Sequence, residues 1–203
     1  MQQSPVMSLL WLSEGPIIYG LLDGKVKAAH IKANKLQSLY ATTSCIVSLA
    51  SNLRGTGFLS GHADGSIVRY YISDDSSMEA QGRILIHRVA PYVLTWPLGG
   101  WILAGGSDHS ICVFNGNNGQ LEKTFDYSSP QLNEKDFSVA CCSPSGQAVI
   151  VGGFNRIYMF VWSPVKCMGR KTSKRNSKSL QCNSTCMEER WIQGCLWKCL
   201  RGC

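Results

Sequence analysis

Short runs rich in β-branched and aromatic residues recur along this chain, separated by clusters of Gly, Asn, Asp and Ser. Runs of that length, bounded by turn-forming residues, predict β-strands. The clearest set is Val47–Ala50, Gly57–Gly61, Ser66–Tyr71 and Arg83–His87, with His62-Ala63-Asp64-Gly65 as the turn between its second and third members. The same order returns in Tyr92–Trp96, Trp101–Gly105, Ser110–Phe114 and Leu121–Phe125. It is preceded by Leu9–Trp11, Ile17–Tyr19, Lys25–Ala28 and Gln37–Tyr40, and followed by Phe137–Cys141, Ala148–Val151 and Arg156–Phe160, after which a last strand is missing.

The turns make the repetition quantitative. Asp23, Asp64, Asp108 and Asn155 follow one another at intervals of 41, 44 and 47 residues, and three residues before each stands a glycine: Gly20, Gly61, Gly105 and Gly152. A period of about 40–45 residues, with four short strands per unit, is the signature of β-propeller blades. Asp-Gly between apolar runs is a strong hairpin signal, because Gly24 and Gly65 can take the positive φ that tight turns demand. Glycine at −3 lets the strand approach a neighbour closely, and Asn155 is a tolerable substitute for Asp because Asn also enters the left-handed region. The fourth turn is one residue shorter than the others. The fold class is therefore all-β, a partial propeller of about four blades. A residue repeated once per blade is dictated by the blade, so these eight positions read as structural turn positions and not as catalytic carboxylates.

The small residue, Gly, two residues, Asp-Gly and β-branched sequence around each turn resembles the WD40 repeat. Six residues after each Asp, where that repeat often has Trp, stand Ala29, Tyr70 and Phe114, and Phe160 falls five after Asn155. No Gly-His dipeptide stands before the blades, so the hydrogen-bonded tetrad of regular WD40 blades is expected to be incomplete, with Gly61-His62 at the wrong place to supply it. The runs Gly61-His62-Ala63-Asp64-Gly65-Ser66-Ile67-Val68-Arg69-Tyr70, Pro91-Tyr92, Lys123-Thr124-Phe125-Asp126-Tyr127-Ser128 and Ser143-Pro144-Ser145-Gly146-Gln147 are more specific. They resemble the N-terminal propeller of the large WD-repeat subunits of the intraflagellar transport B complex, over residues 7–164. That resemblance implies a non-enzymatic protein-interaction scaffold, required for cilium assembly and located in the cilium, at its base and axoneme, and in the cytoplasm. Its implied partners are other intraflagellar transport subunits. The alternative is a propeller adaptor of a vesicle coat or another trafficking complex.

Composition changes the picture mainly at the C-terminus. Residues 1–165 carry 11 Lys/Arg and 11 Asp/Glu, so the net +7 belongs to residues 166–203, with 9 Lys/Arg against Glu188 and Glu189. Six of the ten cysteines lie between Cys167 and Cys203. Residues 165–203 therefore read as a basic, Cys-rich tail, disordered or out of frame. The second reading comes from the code: Met187 before a glutamate codon gives Trp one base later, and Trp191 before an isoleucine codon gives Gly, which suits the start of a further blade. The tail's Cys182-x3-Cys186 and Cys195-x3-Cys199-x3-Cys203 spacings are weak as zinc motifs.

Little else points to chemistry. The N-terminus lacks a secretion signal, and no apolar run reaches the roughly 18 residues of a membrane span, so an intracellular soluble protein is expected. In that compartment Cys45, Cys112, Cys141 and Cys142 read as small buried hydrophobes. His30, His62, His87 and His109 lack metal-ligand spacing and read as loop or strand-surface residues. Gly55-Thr56-Gly57 followed by Gly61 has the wrong spacing for a nucleotide loop, and no nucleophile elbow or P-loop occurs. No catalytic residue, metal, cofactor, small-molecule substrate or nucleic acid is expected.

Overall fold

A computed structural model describes residues 4–12, 15–73, 78–97, 100–127, 136–153, 157–162 and 168–173. Its strands form four antiparallel sheets, each a four-stranded meander in chain order. Blade one contains β1 (Val6–Trp11), β2 (Ile17–Leu21), β3 (Lys25–His30) and β4 (Lys35–Ala41). Blade two contains β5 (Ile46–Ser51), β6 (Gly57–His62), β7 (Ser66–Ile72) and β8 (Met78–Ile86). Blade three is β9 (Val93–Thr95), β10 (Trp101–Gly105), β11 (Ser110–Asn115) and β12 (Leu121–Asp126). Blade four is β13 (Val139–Cys142), β14 (Ala148–Gly152), β15 (Ile157–Trp162) and β16 (Met168–Ser173).

The repeat is also a repeat of register. Gly20 pairs with Val26, Gly61 with Ile67 and Gly105 with Ile111, each six residues on, whereas Gly152 pairs with Ile157, five residues on. The shortened fourth turn is thus absorbed without moving the glycine out of the ladder.

β16 departs from the sequence reading, which left blade four without a last strand. It pairs with β15 from Ile157↔Ser173 to Trp162↔Met168. Met168-Gly169-Arg170-Lys171-Thr172-Ser173 has no apolar alternation and belongs to the stretch read from the sequence as a basic tail, disordered or out of frame. An outermost strand joins its sheet through backbone hydrogen bonds, so a weak side-chain pattern does not exclude it.

The core lies between the sheets, as three seams. Ile18, Val26 and Ala28 of blade one meet Phe58, Val68 and Tyr70 of blade two. Ala50, Leu59 and Ile67 on the other face of blade two meet Leu94, Ile102, Ala104, Cys112 and Phe114 of blade three. Leu103, Ile111 and Val113 then meet Val149, Val151, Tyr158 and Phe160 of blade four. Period-2 alternation supplies both faces of a sheet, and β6 and β11, covered on both sides, are buried along nearly their whole length.

Candidate functional site

The described positions singled out by the repeat are glycines on the second strand of each blade and carboxylates in the turn that follows it. The carboxylate of each described turn caps its own hairpin. Asp64 Oδ1 accepts from the Ser66 amide at 3.0 Å and from Ser66 Oγ at 2.6 Å. Asp108 accepts from the Ser110 amide at 3.2 Å and from Ser110 Oγ at 2.7 Å. Asp23 accepts from Lys25 Nζ at 2.7 Å, and that bond, outweighing a small desolvation, holds its carboxyl below the usual carboxylate range. Gly24 and Gly65 follow with φ of 83° and 85°, and His109 takes the same left-handed place with φ of 57°. The carbonyl of that residue accepts the amide of the segment leaving the fourth strand: Thr42 to Gly24 at 3.0 Å, His87 to Gly65 at 2.8 Å, Tyr127 to His109 at 2.9 Å.

Gly20 and Gly61 stand against the chain entering the next blade: a Cβ on Gly20 would lie 2.6 Å from Ile46 Cβ, and one on Gly61 would lie 2.8 Å from Pro91 Cγ and 2.5 Å from Ser48 Oγ of its own blade. A Cβ on Gly105 would meet its own blade first, at the Ser110 carbonyl 3.3 Å away, with Phe137 Cδ2 in ordinary contact at 3.7 Å. At Gly152 the nearest atom is Val139 Cγ1, 2.8 Å away and within the same blade. Asn155 lies outside the described residues, as does the cysteine-rich segment 174–203.

Two histidines correct the expectation of surface positions: His62 is fully buried and His87 is 2% exposed. His62 Nε2 meets Ser60 Oγ at 2.8 Å, Ser60 Oγ meets the Tyr70 hydroxyl at 3.1 Å, and Tyr40 lies edge-on to both aromatic rings. Gly61-His62 therefore does bring an imidazole into the polar network of a seam, although it is displaced from the place where the regular repeat carries one. Burial pushes the His62 pKa down, opposed by the Ser44 carbonyl and Asp64. Burial likewise pushes the Tyr70 phenol up.

The next seam solves the same problem differently. Ala104 and Phe114 occupy the registers of Ser60 and Tyr70, so both hydroxyls are lost there. His87 instead enters from the β8–β9 connection and holds the Val89 carbonyl with Nδ1 at 3.0 Å. Its Nε2 is buried beside Cys112 without a formed hydrogen bond. Burial opposes the imidazolium, but Cys112, the Val89 carbonyl and Asp108 outweigh it and raise the His87 pKa. Conversely, burial raises the Cys112 thiol, yet His87 and Thr124 pull it below the ordinary value overall. The cysteines are not uniformly buried: Cys112 is, Cys45 and Cys142 are half-buried, and Cys141 is exposed.

The signal that would have found these histidines was available only in part. His62 alternates with Phe58 and Ser60 on one strand face, but His87 lies in a connection whose path no local pattern specifies. Among the described residues there is no group of three metal-ligating side chains and no helix long and apolar enough to cross a membrane. The carboxylates of Asp23, Asp64 and Asp108 are committed to separate hairpins, and what the arrangement offers is repeated sheet surface.

The chain matches no protein-family model. It is 52% identical over 163 residues to the intraflagellar transport protein 172 homolog of Drosophila melanogaster, covering 80% of this chain and 9% of that protein. The counterpart from Danio rerio is 46% identical over 179 residues, and that from Homo sapiens 41% over 180, each covering 88% of this chain and 10% of the relative. The chain thus spans about a tenth of these relatives, and the two longer matches reach past residue 164. Among solved structures, U3-55K superposes with a TM-score of 0.66 at 12% identity, over 84% of this chain and 52% of that one. The WD40 repeats of RRP9 give 0.65 at 12%, over the same shares. The computationally designed Ika4 protein gives 0.62 at 19%, over 80% of this chain and 94% of that one. At these identities the structures establish the WD40 propeller fold alone.

Proposed function

We propose that this chain, a homologue of the intraflagellar transport 172 proteins over four-fifths or more of its residues, is part of a non-enzymatic interaction scaffold in intraflagellar transport. The single observation that carries the reading is 41–52% identity to those proteins over 163–180 residues. The blades supply the mechanism. Gly20, Gly61, Gly105 and Gly152 bring strands close, while Asp23, Asp64 and Asp108 close the described turns, leaving loops and outer strands to engage partners. Those partners are other intraflagellar transport subunits, the place is the cilium and its base together with the cytoplasm, and the process served is cilium assembly.

The test is affinity capture of the tagged 203-residue chain from ciliated cells, with quantitative mass spectrometry against a tag-only control. Enrichment of intraflagellar transport subunits supports the reading. Enrichment of vesicle-coat subunits instead, or of neither, overturns it. Loss of the gene is expected to shorten or abolish cilia in a ciliated organism without a paralogue.

A further inference from the structure

The sequence contains two Asn-Gly steps, Asn115-Gly116 and Asn118-Gly119, and both fall where β11 leads into β12 of blade three. In such a step the glycine nitrogen can attack the side-chain carbonyl of the asparagine before it, because glycine has no Cβ to hinder the approach. The fold holds the two steps differently. Gly116 is buried: its amide donates to the Gly100 carbonyl, its own carbonyl accepts from Arg69 Nη1 of blade two, and an added Cβ would collide with the Gly100 carbonyl. Asn115 is half-buried, with Oδ1 accepting from the Asn117 amide at 2.9 Å and Nδ2 donating to Glu122 Oε1 at 3.4 Å. Asn118, by contrast, is exposed, and Gly119 is half-buried. The Gly119 amide donates within the hairpin to the Asn115 carbonyl at 2.8 Å, and the Asn118 side chain bonds the exposed Gln120, accepting from its amide and donating to its Oε1, each at 3.0 Å. Freeing Gly119 therefore opens only a hairpin tip in solvent. Freeing Gly116 breaks its buried contact with Gly100 and the tie from Arg69 of blade two, a costlier local opening.

We propose that Asn118 is a site of non-enzymatic deamidation, and that the fold protects Asn115 from the same reaction. The Gly119 nitrogen, losing its proton, bonds to Asn118 Cγ; the Cγ–Nδ2 bond breaks and ammonia leaves with that proton, closing a cyclic imide. Water then adds to one of the two imide carbonyls. The ring opens to aspartate or, with the main chain rerouted through the side chain, to isoaspartate. Water is the only co-reactant, and no electron is gained or lost. Either product places a negative charge where Asn118 is neutral and removes the Nδ2 donor that Gln120 Oε1 accepts.

The test holds the folded 203-residue chain at pH 8 and 37 °C beside a sample unfolded in urea. Peptide mass spectrometry, with fragmentation between positions 115 and 118, follows each asparagine separately. Enzymatic carboxyl methylation with labelled S-adenosylmethionine reports the isoaspartate. In the folded chain Asn115 should react at least about tenfold more slowly than Asn118, a ratio that an extra opening cost of about 1.4 kcal/mol produces. In urea the two should react at similar rates. Asn118→Gln, whose side chain closes a larger ring far more slowly, should remove the methylation signal from the folded chain and leave that of Asn115 in urea. Equal rates at the two sites in the folded chain, a faster Asn115, an Asn118 still intact when the urea sample has reacted, or a methylation signal that survives Asn118→Gln in the folded chain would each overturn the proposal.

Discussion

Gly20 of blade one stands against Ile46 at the entry to blade two so closely that a Cβ on Gly20 would collide with Ile46 Cγ2 and lie 2.6 Å from Ile46 Cβ. Both residues are buried, and Ile46 is a member of the seam between the two blades. Adding volume must therefore push two sheets apart. Gly20→Ala is expected to cost about 1–3 kcal/mol, the usual range for overpacking, and Gly20→Val more. Urea unfolding reads this as a falling midpoint, and a Val variant as stable as the parent would show that the blades do not meet there.

The turns between β6 and β7 and between β10 and β11 separate two physical demands. Gly65 has φ of 85°, and a Cβ there would strike the His87 carbonyl, so Gly65→Val combines backbone strain with a clash. A loss of at least about 1–3 kcal/mol is expected. His109 already holds φ of 57° without being glycine, and its Nδ1 is buried without a hydrogen bond. His109→Gly should therefore be neutral or stabilise by up to about 1 kcal/mol. Opposite shifts in thermal midpoint for the two variants are the expected result.

His62 and His87 work against each other as pH changes. The His62 pKa is lowered in the folded state, so its contribution is present above the unfolded value of 6.5 and is lost as pH falls through the folded one. The His87 pKa is raised, so its contribution is present below 6.5 and is lost as pH rises through the folded value. His62→Gln should lose less stability than the parent between pH 7.5 and pH 5, and His87→Gln should lose more. Melting curves at the two pH values decide it; identical slopes for parent and both variants would contradict the assignment.

Thiol reactivity sets exposure against acidity. Cys112 has the lowered pKa but is buried, Cys141 is exposed, and burial with help from Cys141 pushes the Cys142 thiol up to about 11. A thiolate that reagent cannot reach does not react. Iodoacetamide at pH 8, mapped by peptide mass spectrometry, should label Cys141 well before Cys142, and Cys112 only on unfolding. Early labelling of Cys112 would place it outside the blade two to blade three seam.

The sequence by itself determined what is local. Turn residues with their carboxylates, the alternation of apolar side chains and the spacing of the repeats specify strands, hairpins and registers, because each depends on neighbours a few positions away. That is why Gly61↔Ile67 and Gly105↔Ile111 recur in step, and why Tyr70, Phe114 and Phe160 lie in the core. Tertiary structure alone decided what depends on the packing of one sheet against another. It buried His62 and His87, left Cys141 in solvent, and joined the polar run Met168–Ser173 to blade four through its backbone. It also left Trp11 and Ile157 exposed. An apolar alternation looks the same whether or not another sheet covers it, so the chain pattern records that a face can be buried, and only the arrangement of blades records by what.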